Sequence, residues 1–235
     1  MRRLAYLALI VISTVAGLAG WLAGSEHGLQ TAVRLAGTAT GGQLHIEQAS
    51  GRLLGPLDIA TLRWQGAGQQ IAATGIHLDW SLAELLHGRL QVAALDIATL
   101  RIDQPPSDVP AALPADLQLP LAVTIERLSL GQADYNGQPL LQQLSGRLAS
   151  DGRQHRLDDL QLQAGDVSLA GQASLDGQAP FPLAASLDLH GQLEQRPLAV
   201  TATAKGRLDR IDLGIVATQG IAGHGEAVLT PFAAA

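Results

Sequence analysis

A chain of 235 residues can bury one large core or two small ones; this one is 47% hydrophobic, only 3% aromatic and 15% charged, against ~25% charged in ordinary soluble domains. Its net charge of −6, scattered arginines and single lysine, Lys205, exclude a basic face for nucleic acid, and the absence of cysteine excludes disulfides and thiolate metal sites. With aliphatic side chains in such excess over charges, part of the aliphatic surface is expected to face something other than water.

The first predicted element is a membrane anchor. Arg2 and Arg3 precede an uncharged apolar stretch from Leu4 to Gly24, long enough at 1.5 Å per residue to cross a bilayer core of ~30 Å. The arginines before the span orient its N-terminus to the cytoplasm and everything downstream outside, with Trp21 at the interface. The competing reading is a cleavable signal peptide, since Ala16, Ala19 and Ala23 offer small residues for cleavage, but the apolar run exceeds a typical signal core. Either reading exports the remainder. A juxtamembrane helix over 25–37 follows, capped by Ser25, apolar at Leu29, Ala32, Val33 and Ala36, and stopped by Gly37.

From Gln43 onward short alternating apolar runs recur between Gly, Pro, Asn and Asp, which predicts an all-β region. Strands are expected over 44–49, 57–65, 71–80, 90–103, 121–130, 157–163, 167–175, 183–190, 198–205 and 208–217. Asn136-Gly137, Asp151-Gly152 and Asp176-Gly177 are tight-turn signals, so neighbouring strands are expected to pair antiparallel. One short helix over 81–87 interrupts them, with Ser81-Leu82-Ala83-Glu84 as a capping box and Gly88 as its stop. Pro105, Pro106, Pro110, Pro114 and Pro120 make 104–120 a loop. That loop divides a first β unit, 43–103, from a second, 121–235.

Two patterns bear on shape. Leu57-Asp58-Ile59-Ala60-Thr61-Leu62-Arg63 recurs unchanged as Leu95-Asp96-Ile97-Ala98-Thr99-Leu100-Arg101, which predicts an elongated sheet built by adding like strands. Leu90, Val92, Leu95, Ile97, Leu100 and Ile102 step by two and three alternately. A bulge at each step of three would keep them on one face and curl the sheet into an open trough; strands crossing between the layers of a sandwich would satisfy the same spacing.

Trp21-Leu22-Ala23-Gly24-Ser25-Glu26-His27-Gly28-Leu29, then Gly51-Arg52-Leu53-Leu54-Gly55-Pro56-Leu57, then Leu78-Asp79-Trp80 with Leu85-Leu86-His87-Gly88-Arg89-Leu90 resemble the start of TamB-like proteins, the inner-membrane component of the translocation and assembly module within the AsmA-like group. The stretch Leu117-Gln118-Leu119-Pro120-Leu121 fits too, so the ordered resemblance covers about residues 1–130. It implies a single-pass inner-membrane protein whose periplasmic sheet bends into a taco-like groove. It further implies partnership with an Omp85-type outer-membrane protein, in phospholipid transport between membranes or in assembly of outer-membrane proteins and autotransporters. Family members are commonly much longer, so this chain is expected to be a piece or truncated product lacking the region that would meet that partner.

No catalytic constellation competes with this. The seven histidines show no metal-ligand spacing, Asp158-Asp159 is the only adjacent acidic pair, and neither a nucleophile elbow nor a phosphate loop is present. No enzyme, metal or cofactor is therefore implied. The lipid-groove candidates are Leu44, Ile46, Leu57, Ile59, Ile76, Leu78, Leu90, Val92, Leu95, Ile97, Leu121, Val123, Ile125, Leu128 and Leu130, each equally readable as a core residue. Trp64 and Trp80 are either paving at the groove mouth or core fillers. The alternatives in function are a chaperone-like module that captures a β-strand at a sheet edge and a structural periplasmic spacer.

Overall fold

The computed structural model describes residues 25–66, 68–105, 113–193, 196–219 and 223–232. The anchor residues Arg2, Arg3 and Trp21 lie outside them, and among the described residues no helix is long and apolar enough to cross a membrane.

Helix α1, Glu26–Ala39, opens as its chemistry requires, with the Gly28 N–H donating to Ser25 Oγ at 3.2 Å. Leu29, 3% exposed, faces inward. The helix does not stop at Gly37 as expected. It runs on to Thr40, whose N–H donates to Ala36 O, and turns at Gly41 with φ +62. Gly37 lies within the helix, where a Cβ would stand in ordinary contact with Leu44 O at 3.4 Å.

The rest is one sheet of twelve strands in chain order. They are β1 (Leu44–Gly51), β2 (Leu57–Gly66), β3 (Gln69–Ser81), β4 (Arg89–Asp103), β5 (Ala122–Tyr135), β6 (Gln138–Ser150), β7 (Gln154–Ala164), β8 (Val167–Asp176), β9 (Pro182–Leu193), β10 (Arg196–Arg207), β11 (Arg210–Gln219) and β12 (Gly223–Leu229). The ladder begins at β1, against which α1 lies, and ends at β12 without closing. The sheet is therefore open, as expected.

Three local expectations are corrected. The pairing is antiparallel except between β4 and β5, which run parallel. No tight-turn signal stands between those two strands; the Pro-rich segment returns the chain to the end where β4 began, as a parallel pair requires. Two strands, β6 and β12, went unanticipated because the first opens with Gln and Pro and the second with Gly and His. The segment Leu82–His87 is a 3-10 helix rather than an α-helix: Ser81 makes no side-chain cap bond, and Glu84 pairs with Arg89 at 3.0 Å. The Asn136-Gly137 turn is as expected, with φ +49 and +74 closing β5 onto β6.

The steps of three in the apolar spacing have a structural cause. The ladder passes over Gln48 opposite Ala60, Ala60 opposite Gly75, Gly75 opposite Ala98, Ala98 beside Gly131, and Gly131 opposite Gln143. These six unpaired positions form a crease running straight across six strands. Gln48, Gly75 and Gln143 adopt positive φ (52°, 59° and 64°), and a Cβ on Gly131 would lie 2.6 Å from Ala98 O. Each strand thus skips one residue at the crease and returns its apolar residues to the same face. A second line of register shifts passes through Asp79/Trp80, Ile125/Leu128, Ser145/Arg147 and Leu157/Leu160, with Asp159 at φ +51. The repeated heptad places Ala60 and Ala98 in the first crease, so the repeat encodes the bend as well as the strand.

Candidate functional site: the apolar side of the sheet

Residues paired directly across strands share a face. Following the register from β1 gives Ala49, Ile59, Ile76, Ile97, Leu130, Leu144, Leu162, Leu169, Leu189, Val200 and Ala217, an unbroken aliphatic row ending at Gly223 of β12. Eleven strands spaced ~4.8 Å apart make this row roughly 48 Å long. Parallel rows flank it. One runs Leu57, Leu78, Leu95 and Leu128, another Trp80, Val92, Ile125, Leu148, Leu157 and Ala173.

The opposite side is polar along equally continuous lines. Glu47, Thr61, Thr74, Thr99, Gln132, Gln142, Gln163, Ser168 and His190 form one of them. Ion pairs such as Arg63–Glu47 at 2.7 Å and Arg127–Asp96 at 3.4 Å sit on this side, half-exposed and of little worth individually. Arg147 and Asp159 pair there as well. Shallow depressions lie between these polar side chains; one of about 510 Å³ is bounded by Ser129, Gln143, Ser145, Gln161, Ser168 and His190.

The aliphatic side is the less exposed of the two although no second sheet covers it among the described residues. Leu57, Ile76, Val92 and Leu130 are buried, at 4%, 8%, 4% and 9% exposure. Leu44, Ile46, Ile59, Leu78, Leu90, Leu95, Ile97, Val123, Ile125 and Leu128 are on the same side but only half-buried. Leu121, also half-buried, precedes β5 rather than lying within it. All fourteen strand positions anticipated as groove residues thus share one face. Leu144, Leu162, Leu169, Leu189 and Val200 extend that face and were missed, although strict alternation from β7 onward was the signal that could have found them.

The two tryptophans differ. The Trp64 ring lies over Gly66, where a Cβ would be 2.5 Å from the ring, so it fills space at one rim. Trp80 faces Val92, and its indole N–H is buried without a hydrogen-bond partner.

One rim is tied down by polar groups no motif announced. His155 stands between Ser150 Oγ at 2.8 Å and Leu117 O at 2.9 Å, and Ser150 Oγ accepts from the Gly152 N–H at 3.0 Å. The Leu117 N–H donates to Gly177 O and the Leu119 N–H to Gly152 O, fastening the end of the Pro-rich segment across two hairpin turns. Beside them the Asp151 carboxyl is held below its ordinary range by the Gln154 and Arg153 backbone N–H groups. Asp176 is lowered by the Arg153 guanidinium and the Gln178 N–H, and Arg153 is raised in turn. Among the described residues no group of His, Asp and Glu could hold a metal ion.

The described residues thus form one long open sheet with an aliphatic side and a polar side. No curated protein and no solved structure matches the chain. The family model for the TamB N-terminal domain matches residues 15–136, more than half of the chain, which therefore belongs to the TamB family of envelope proteins connected with the translocation and assembly module.

Proposed function

We propose that the aliphatic side of the sheet is a path for the acyl chains of phospholipid moving between the inner and outer membranes. On this reading the N-terminal stretch anchors the protein in the inner membrane, the sheet stands in the periplasm, and the partner at the outer membrane is of the Omp85 type. The observation that carries it is the row from Ala49 to Ala217, continuous over eleven strands. Holding a 16-carbon chain in water costs about 0.8 kcal/mol per methylene, so a half-exposed aliphatic strip removes on the order of 10 kcal/mol per chain. The three rows together have a footprint of roughly 700 Å², above the ~300–600 Å² of the largest apolar patch on an ordinary monomer. A closed spacer would instead bury its central aliphatic residues, whereas Ile97, Leu128 and Leu162 are only half-buried.

The test uses photoreactive residues at Leu162 and Leu189 in the full-length protein in cells, which should capture lipid. Leu144→Asp places a carboxylate on the row where the side chain is half-buried, so the protein should keep normal abundance while capture at Leu189 falls several-fold. Undiminished capture at normal abundance would refute the path. A second reading, support of outer-membrane protein assembly by strand capture, draws on β12, whose residues are all exposed and whose far edge carries no further strand among the described residues.

A further inference from the structure

We infer that the Trp80 indole N–H is a hydrogen-bond donor to an oxygen of the bound lipid, so that the path recognises the polar junction of an acyl lipid as well as its hydrocarbon; the inference rests on the acyl-lipid reading above. A buried indole N–H ordinarily finds a partner, because leaving one unmade in a dry site forfeits its solvation. Trp80 Nε1 has none.

Its position gives the missing bond a use. The register shift between Asp79 and Trp80 leaves Ala93 of β4 unpaired beside this point, and bulges of this kind re-aim side chains next to sites. Trp80 is thereby paired with Val92, at the head of the aliphatic row that continues through Ile125 and Leu148. The chain then enters the Leu82–His87 turn, which is lightly fastened. Ser81 adds no cap bond, and the Glu84–Arg89 pair is more than half-exposed on its Arg side. At this edge of the strip the acyl chains of a lipid would lie along the row and an oxygen at their head would meet the donor. That oxygen is an ester carbonyl or a phosphate oxygen, both acceptors of the same chemistry. Trp64, whose ring is spent on Gly66, has no such role.

The experiment compares the full chain with its Trp80→Phe variant, which keeps the ring and removes the donor. The probes are diazirine-tagged diacyl phosphatidylethanolamine, its dialkyl ether analogue and a dialkyl glycerol lacking phosphate. Trp80→Phe should lower capture of the diacyl phospholipid about five-fold, as one neutral hydrogen bond warrants, and leave the dialkyl glycerol unchanged. Retention of the ether phospholipid identifies the carbonyl as acceptor, and its parallel loss identifies the phosphate. In the wild-type chain with labelled tryptophan, the Trp80 indole proton should move downfield on addition of the diacyl lipid, a readout that needs no variant to fold. Equal capture by Trp80→Phe together with an unmoved indole proton would overturn the inference while leaving the lipid path intact. Failure of the wild type to capture any probe would overturn both.

Discussion

If the crease bends the sheet, the smallest possible addition to it should be costly for two separable reasons. In Gly75→Ala the new Cβ would lie 2.8 Å from the Ala98 Cβ, and residue 75 would hold φ +59 with a side chain attached. The left-handed backbone costs an L-residue roughly 1–2 kcal/mol, and forcing a methyl into occupied space costs about 1–3 kcal/mol. The sum, about 2–5 kcal/mol, is a large fraction of the ~5–15 kcal/mol that stabilises a typical fold. Only the second part depends on Ala98. Ala98→Gly alone should cost no more than about 1 kcal/mol, as a glycine within a strand does. Combined with Gly75→Ala, it should return the 1–3 kcal/mol of the clash, so the double variant unfolds at higher urea than Gly75→Ala alone. The assay is chemical denaturation of the detergent-solubilised chain, read as a double-mutant cycle. Simple additivity of the two costs would show that these methyls never meet, and the crease as described would be wrong.

Two further expectations concern the fastened rim. His155→Phe removes the bridge between Ser150 and Leu117 O, so amide exchange at Leu117 and Leu119 should quicken by about five-fold, the worth of ~1 kcal/mol; unchanged exchange would mean that the backbone bonds hold this segment unaided. The carboxyls of Asp151 and Asp176 are both lowered by their hydrogen bonds, so what they contribute is fully present above the unfolded carboxylate range near pH ~3.9 and disappears as pH falls through the lower folded values. Protection of the Gln154 and Gln178 amides, taken relative to their intrinsic exchange rates, should therefore fall on acidification from about pH 5 to below 3, and Asp176→Asn should abolish the response at Gln178 while sparing that at Gln154.

The strands with strong aliphatic spacing were readable because the pattern itself contains the irregularities: Val92 to Leu95 and Ile97 to Leu100 each skip two residues, the first at a register shift and the second at the unpaired Ala98. The sequence could not distinguish a crease from a crossing between layers, since both demand the same skip; the unbroken ladder from β1 to β12 decides it. Strand β6 was obscured by Gln138, Pro139, Gln142 and Gln143, yet Leu141, Leu144 and Leu148 pair with aliphatic residues of β5 and hold it in place. Ser81 had the right neighbours for a capping box, but with Glu84 engaged by Arg89 the reciprocal bond was not made. The His155 bridge joins residues 38 positions apart, and no local spacing marks it. Groove residues were legible as a set because facing is periodic, whereas the isolation of the Trp80 N–H depends on three-dimensional surroundings.

The order of strands along the sheet also has a consequence for how the protein comes into being. No rung of the ladder joins residues more than 33 apart, the separation of Gln70 from Asp103 and of Arg89 from Ala122. Averaged over the ladder, the relative contact order therefore stays below about 0.14 (33/235), out of the range of sandwiches and nearer that of helical proteins. Each strand needs only the one before it, so the structure can advance along the chain as successive segments become available, with no distant partner to wait for. At every intermediate stage the exposed frontier is one strand wide, and the segment needed to cover it is the next to arrive.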